Sequence, residues 1–296
     1  MDHRWRVPRG LPGPPAAPNT QRHPQPLGMV FLRSIAPKRA LADEPAAFPF
    51  SVPAVRALTA LRLETPVTFF VGENGSGKST LLEGIAAAVG LPVVGSESVR
   101  DDATLAAQRA LGAKLRLVWT RRTHRGFFLR AEDFFGFTKY LAQLRAGLQD
   151  RLREIDVEYA NRSAWARGLA TGPVTASLAE LQGRYGVDLD ANSHGESFLR
   201  LFQSRFVPGG LYLLDEPEAP LSPQSQLGLM AMLKAMVADD AQFIIATHSP
   251  ILLAFPGSAI YTFDERPPRV VPYEELEHVR LTRDFLNAPG AFLRHL

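Results

Sequence analysis

The sequence predicts an α/β fold: helices cover both faces of a mainly parallel sheet, and a helical lobe is inserted into that core. Three observations carry this expectation. Short apolar, β-rich runs alternate with helical segments, most strictly in the last third of the chain. One run, Val67-Thr-Phe-Phe-Val71, feeds a glycine-rich loop at 72–77 that opens a helix. A helical stretch of roughly 140–205 separates the two α/β halves.

Residues 1–28 contain seven prolines and four arginines against a single aspartate, with few large apolar side chains. That composition cannot offset the entropy of ordering, so a disordered tail is expected. Met29, where a strand-like run begins, is an alternative start of translation. Val30–Ile35 reads as the first strand and Val67–Val71 as a buried parallel strand. A helix follows from Lys78 to about Val89. Leu115–Trp119 and Gly126–Leu129 read as two strands joined by the polar turn Arg121–Arg125. Thr138–Leu169 reads as helical, because Leu141, Leu144, Leu148, Leu152 and Ile155 recur at steps of three and four. That stripe is expected to serve internal packing. Ser193 opens a helix to about Phe206. Strand Leu211–Leu214, helix Gln224–Val237 and strands Gln242–Ala246 and Ala259–Phe263 complete the pattern. The expected organisation is one domain over 29–296, with a core lobe of about 29–135 and 206–296 and a helical lobe of about 136–205.

Composition narrows the chemistry. The 296 residues are 46% hydrophobic and 21% charged, ordinary for a soluble globular protein. The absence of cysteine excludes disulfide scaffolds, thiolate metal sites and cysteine nucleophiles. No apolar run approaches the roughly 20 residues of a membrane-spanning helix, so a cytoplasmic protein with no membrane span of its own is expected. The net charge of +3 equals the excess of the tail alone; the remaining residues carry equal numbers of acids and bases. The body thus has no formal excess of charge to attract phosphates broadly.

Four segments carry chemistry. The first is Gly72-Glu73-Asn74-Gly75-Ser76-Gly77-Lys78-Ser79-Thr80, which satisfies G-x-x-x-x-G-K-[ST] after a strand and before a helix. Glycines let backbone N–H groups wrap a phosphate chain, and the helix start adds its dipole. Lys78 is placed to reach the β- and γ-phosphates of ATP, and the Ser79 hydroxyl to ligate Mg²⁺. The second is Leu211-Tyr-Leu-Leu-Asp-Glu-Pro217: Asp215, at the end of a buried strand, is a candidate Mg²⁺ ligand, and Glu216 a candidate general base. The third is Phe243-Ile-Ile-Ala-Thr-His-Ser249, where His248 can hydrogen-bond a γ-phosphate and the water attacking it. The fourth is Asn192-Ser-His-Gly-Glu-Ser197, in which Ser193 can cap a helix and Gly195 leaves room for a ligand near the backbone.

Together these segments define a P-loop NTPase core and resemble the ATP-binding-cassette ATPases in motif, order and spacing over roughly 29–296. Ser193-His-Gly-Glu196 resembles a variant of that family's signature motif. More narrowly, the chain is similar to small soluble ATPases of the SMC/RecF-like branch. The resemblance implies a head-to-tail homodimer with two ATP molecules between the protomers, and Ser193 and Gly195 of one protomer acting on ATP held by the other. Some positions depart from the pattern. His194 replaces the first signature glycine, and Ser222 the usual loop aspartate. Glu132 stands where the family's lid glutamine is expected, and Arg33 and Phe50 are the candidates for contact with the base.

Three functions follow as expectations. The first is a soluble ATPase whose ATP-driven dimerisation acts on a macromolecule, a nucleic acid or a soluble protein. The second is the ATPase subunit of a transporter, which the unusual lid region disfavours. The third is a slowly hydrolysing nucleotide switch. A serine-hydrolase reading fails, because Gly195-Glu-Ser197 lacks the closing glycine of G-x-S-x-G.

Overall fold

The structure, a computed structural model, describes residues 28–94, 106–185 and 194–294. Strands β1 (Leu32–Pro37) and β2 (Leu61–Arg62), with the short helix α1 (Pro53–Arg56) between them, lead into β3 (Val67–Val71) and α2 (Lys78–Val89). Helix α3 (Ala106–Lys114) precedes β4 (Leu115–Trp119) and β5 (Gly126–Arg130). Helices α4 (Ala131–Glu158), α5 (Ala164–Tyr185) and α6 (His194–Arg205) follow. The remainder is β6 (Leu211–Asp215), α7 (Pro223–Ala238), β7 (Gln242–Ala246), α8 (Pro250–Leu253), β8 (Ala259–Thr262), β9 (Arg269–Val270), α9 (Glu277–Asn287) and α10 (Pro289–Leu293).

The main sheet has six strands in the order β5-β6-β7-β3-β8-β9, all parallel except the last pair. Its strands are apolar at nearly every position because both faces are covered. Phe127, Tyr212 and Phe243 point to one face, where Phe198, Leu201 and Phe202 of α6 pack. Their neighbours Phe128, Leu213 and Ile244 point to the other, against Leu81, Leu82 and Ile85 of α2. Gly126 begins β5 at a φ of +124°, and a Cβ there would lie 1.8 Å from the Leu211 carbonyl oxygen. Only glycine lets the edge strand approach β6 so closely.

The second sheet is antiparallel, in the order β2-β1-β4. β4 and β5 therefore lie in different sheets, and the turn between them is a crossing from one sheet to the other. The first strand runs two residues later than the sequence suggests. Gln242, fully buried at the start of β7, explains where it docks. Its side-chain oxygen accepts from the Phe31 and Leu32 N–H groups at 2.9 and 2.8 Å, and its amide donates to the Leu32 carbonyl at 2.9 Å. Gln242→Leu would strip three buried backbone groups of partners, so a loss of about 2–4 kcal/mol is expected. Chemical denaturation reads it directly; a variant of unchanged stability would show the clamp to be dispensable.

The helical stretch expected as one run over Thr138–Leu169 is two helices, α4 beginning seven residues earlier and α5 starting after a break at 159–163. Arg167 of α5 pairs with Asp156 of α4 at 2.7 Å. In the expected stripe Leu141 and Ile155 are buried, whereas Leu144 is 40% exposed. The α4–α5 pair has few buried side chains; α6 instead joins the main core. Residues 1–27 of the tail read as 1–28, and Ser193, lie outside the described residues.

Candidate functional site

Three adjacent parallel strands end side by side, and each ends in one of the expected segments. β7 lies between β3 and β6, in register Phe70 with Ala246 and Asp215 with Ala246. The phosphate loop, the Asp215-Glu216 pair and Thr247-His248 therefore meet in one crevice at the carboxyl edge of the sheet, the usual ligand position in open α/β folds.

The loop 72–77 is built for close backbone approach. Gly77 is the N-cap of α2 at φ +105°, and no side chain caps the helix. A Cβ on Gly77 would stand 2.6 Å from Val52 Cγ1, in a conformation that L-residues avoid. The first-turn N–H groups and the positive end of the dipole thus face the crevice. Lys78 is buried, and its ammonium donates to the Gly72 and Glu73 carbonyls at 2.7 and 3.1 Å. Burial pulls its pKa down, against the opposing pull of Glu216, Asp215, Asp264 and Glu218.

The Ser79 hydroxyl donates to Asp215 Oδ1 at 3.0 Å. These two hard oxygens, one from the first turn of α2 and one from the end of β6, suit a magnesium ion. Burial lifts the Asp215 pKa to about 7, helped by Glu216 and Glu83; the Ser79 hydrogen bond and Lys78 oppose it. Glu216 sits at φ +49°, an uncommon state for a non-glycine residue, and its N–H donates to the Ala246 carbonyl at 2.9 Å. The hydrogen bond to the neighbouring strand holds this conformation in place. Its Oε1 lies 3.8 Å from His248 Nε2.

Several residues not singled out in the sequence hold this arrangement. Glu218 accepts from the His248 N–H at 2.8 Å, tying the β7 end to the β6 end. Asp264, just after β8, accepts from the Glu73 N–H at 2.7 Å and so fixes the phosphate loop. An acid directly after a buried strand is the same signal that picked out Asp215, and it would have found Asp264. Glu83, one turn after Ser79 on α2, pairs with Arg130 at 3.1 Å, at the strand end where a lid residue was expected.

Other expected residues are not brought to the crevice by what is described. Helix α4 follows β5 without a loop, so Glu132 lies in its first turn, and its side chain is outside the described set. Gly195 is the second residue of α6, next to the undescribed Ser193. Phe50 is buried in the cluster under α2 and has no open face for a base, whereas Arg33 is exposed. Ser222 caps α7, accepting from the Ser225 N–H at 3.2 Å.

Two family models match this chain. Residues 51–113, which contain the phosphate loop, match an AAA domain. Residues 197–254, which contain Asp215, Glu216 and His248, match the model described as "AAA domain, putative AbiEii toxin, Type IV TA system". No curated protein matches the sequence. Among solved structures, an ATP-binding cassette of an ABC transporter in its ADP conformation is similar at 16% identity and a TM-score of 0.42, over 88% of this chain and 98% of the other. An Smc head domain from Pyrococcus furiosus, bound to the C-terminal domain of ScpA, has 11% identity and the same TM-score, over 88% and 99%. An SMC head domain from Thermotoga maritima has 13% identity and a TM-score of 0.38, over 82% and 99%. No helix among the described residues is long and apolar enough to cross a membrane.

Proposed function

We propose that this chain, a P-loop ATPase of the ATP-binding-cassette type, binds ATP with Mg²⁺, hydrolyses it, and uses the cycle of dimerisation and release to act on a macromolecular partner. The observation that supports this best is the meeting of three strand ends, with Ser79 and Asp215 3.0 Å apart and Glu216 and His248 3.8 Å apart. The phosphate loop residues Gly72 to Thr80 hold the polyphosphate. Ser79 and Asp215 hold Mg²⁺, which offsets phosphate charge when bound. Glu216 accepts the proton of the attacking water, and His248 hydrogen-bonds the terminal phosphate. The loop encloses the phosphates from one side only, so Ser193 and Gly195 of a second protomer complete the site. The segment from 29 to 296 acts as one cassette, its helical lobe carrying the signature turn.

A local feature favours a polyanionic partner over a membrane permease. Although the body is neutral overall, residues 103–131 contain no acid and seven bases. Lys38, Arg109, Arg116 and Arg122 line a groove of about 700 Å³ together with Trp119, and among the described residues its lining includes no acid. The Arg122 guanidinium lies over the Trp119 ring, 6.0 Å from its centroid. A cationic groove with an aromatic floor suits a nucleic-acid backbone.

Glu216→Gln keeps the shape of the site and removes the base, so with ATP–Mg²⁺ it is expected to run as a dimer in light scattering, and without ATP as a monomer. Duplex DNA added to the same samples is expected to bind with an affinity that falls steeply with salt. A variant that stays monomeric at saturating ATP would remove the sandwich mechanism. Binding indifferent to salt would remove the polyanion.

A further inference from the structure

Beside the phosphate loop lies a cavity of about 800 Å³, one wall of which has no role in the reading above. Gly72–Ser76 and His248 form one side, and Asp264 and the start of α9 the other. His278, second residue of α9, lines it. Its Nε2 is shut off from solvent and finds no hydrogen-bond partner among the described residues. A ring nitrogen shut off from solvent normally has a hydrogen-bond partner; this one leaves its position unspent beside the loop 72–77.

Its surroundings define what would satisfy it. Burial lowers its pKa first; His248 and Lys78 lower it further, and Asp264 opposes them. The ring therefore sits in the field of the two groups assigned to the terminal phosphate. Leu276 and Val279, both buried, pin the helix on either side of it, and the ring itself is half-buried at the cavity wall. An imidazole N–H in the field of two basic groups is matched by an acceptor that carries negative charge, and a phosphate oxygen is such a group.

We propose that His278 is a second imidazole of the nucleotide site, donating from Nε2 to the terminal phosphate of a bound nucleoside triphosphate. Helix α9 then carries a contact that exists with the triphosphate and is lost with the diphosphate. The proposal rests on the nucleotide-binding reading above. It is independent of dimerisation and of the groove on the other sheet.

The test is the affinity of the full chain for Mg²⁺–adenylyl-imidodiphosphate and for Mg²⁺–ADP, measured by calorimetry in the wild type, His278→Ala, His278→Gln and Lys78→Ala. His278→Ala is expected to lose roughly 10–100-fold for the triphosphate analogue, the value of one charge-assisted hydrogen bond, while ADP binds as before. His278→Gln, which restores an N–H donor, is expected to recover much of the loss. If the alanine variant unfolds, His278→Phe keeps a ring without the donor and is expected to show the same triphosphate-specific loss. Equal loss for both nucleotides, or none for either, in a protein where Lys78→Ala abolishes binding would make His278 a packing residue of α9. A wild type that binds neither nucleotide would overturn the nucleotide reading itself, and this proposal with it.

Discussion

Lys78→Ala is expected to abolish measurable ATP hydrolysis and to weaken nucleotide binding by about 10²–10³-fold, while the protein still melts cooperatively. The size follows from the charge census of the crevice. One buried ammonium faces Glu216, Asp215, Asp264 and Glu218, all near enough to pull its pKa upward. Removing it leaves four carboxylates facing a polyanion, and forfeits two charge-assisted hydrogen bonds worth about 1.5–3 kcal/mol each. The fold should tolerate the change, because the protein groups that the ammonium holds are two carbonyls of its own loop, at Gly72 and Glu73. The same census predicts that ATP binds poorly without Mg²⁺. Calorimetry with and without EDTA, alongside the variant, measures both effects. Undiminished turnover in Lys78→Ala would remove the phosphate-loop assignment.

The second large effect belongs to Asp215, and here stability and activity should move in opposite directions. Its pKa is lifted from 3.8 to about 7 in the folded protein. Between those values the folded state holds a proton that the unfolded state has released, so stability on this account is greatest below pH 4 and falls as the pH rises to about 7. Asp215→Asn removes the charge and keeps an oxygen for the Ser79 hydroxyl to reach. In metal-free buffer it should therefore be more stable than wild type at pH 8, by up to about 4 kcal/mol, and nearly equal to it at pH 4. It should also lose Mg²⁺-dependent hydrolysis. Melting curves of both proteins in EDTA across pH 4–8 provide the measurement. Parallel curves would mean that the carboxylate carries no burial cost.

The local parts of this protein were legible because their causes are local. Val67–Val71 and Lys78–Val89 follow from a run of β-rich apolar residues and a glycine loop, and the structure places them at those residues. The alternation in the last third likewise gave strands within a residue of their observed ends. Order in the sheet was not legible, since nothing near Leu115–Trp119 says that it pairs with Leu32–Pro37 rather than with the next strand. The same limit hid Gln242, whose partners lie some 210 positions away, and Glu218, whose acceptor role depends on the β6 and β7 ends being neighbours. His278 escaped notice because its companions are set by the fold alone: no motif joins it to Lys78. The basic groove was masked by averaging, because an excess of acids in residues 186–296, those around the crevice included, cancels its charge in a sum.

The position of β3 has a consequence for biosynthesis. Val67 pairs with Phe243 on one side, and Thr68 with Ala259 on the other. Among the described residues no strand made earlier pairs with β3, so the segment that carries the phosphate loop waits for most of the chain to emerge. At about 5–20 residues added per second, that wait is on the order of ten to thirty seconds. Through it, Val67-Thr-Phe-Phe-Val71 is an unpaired apolar strand of the kind that invites wrong partners. Newly made protein is thus most exposed to aggregation before β7 and β8 appear, and a chain truncated before residue 242 has neither neighbour with which to complete its phosphate-binding strand.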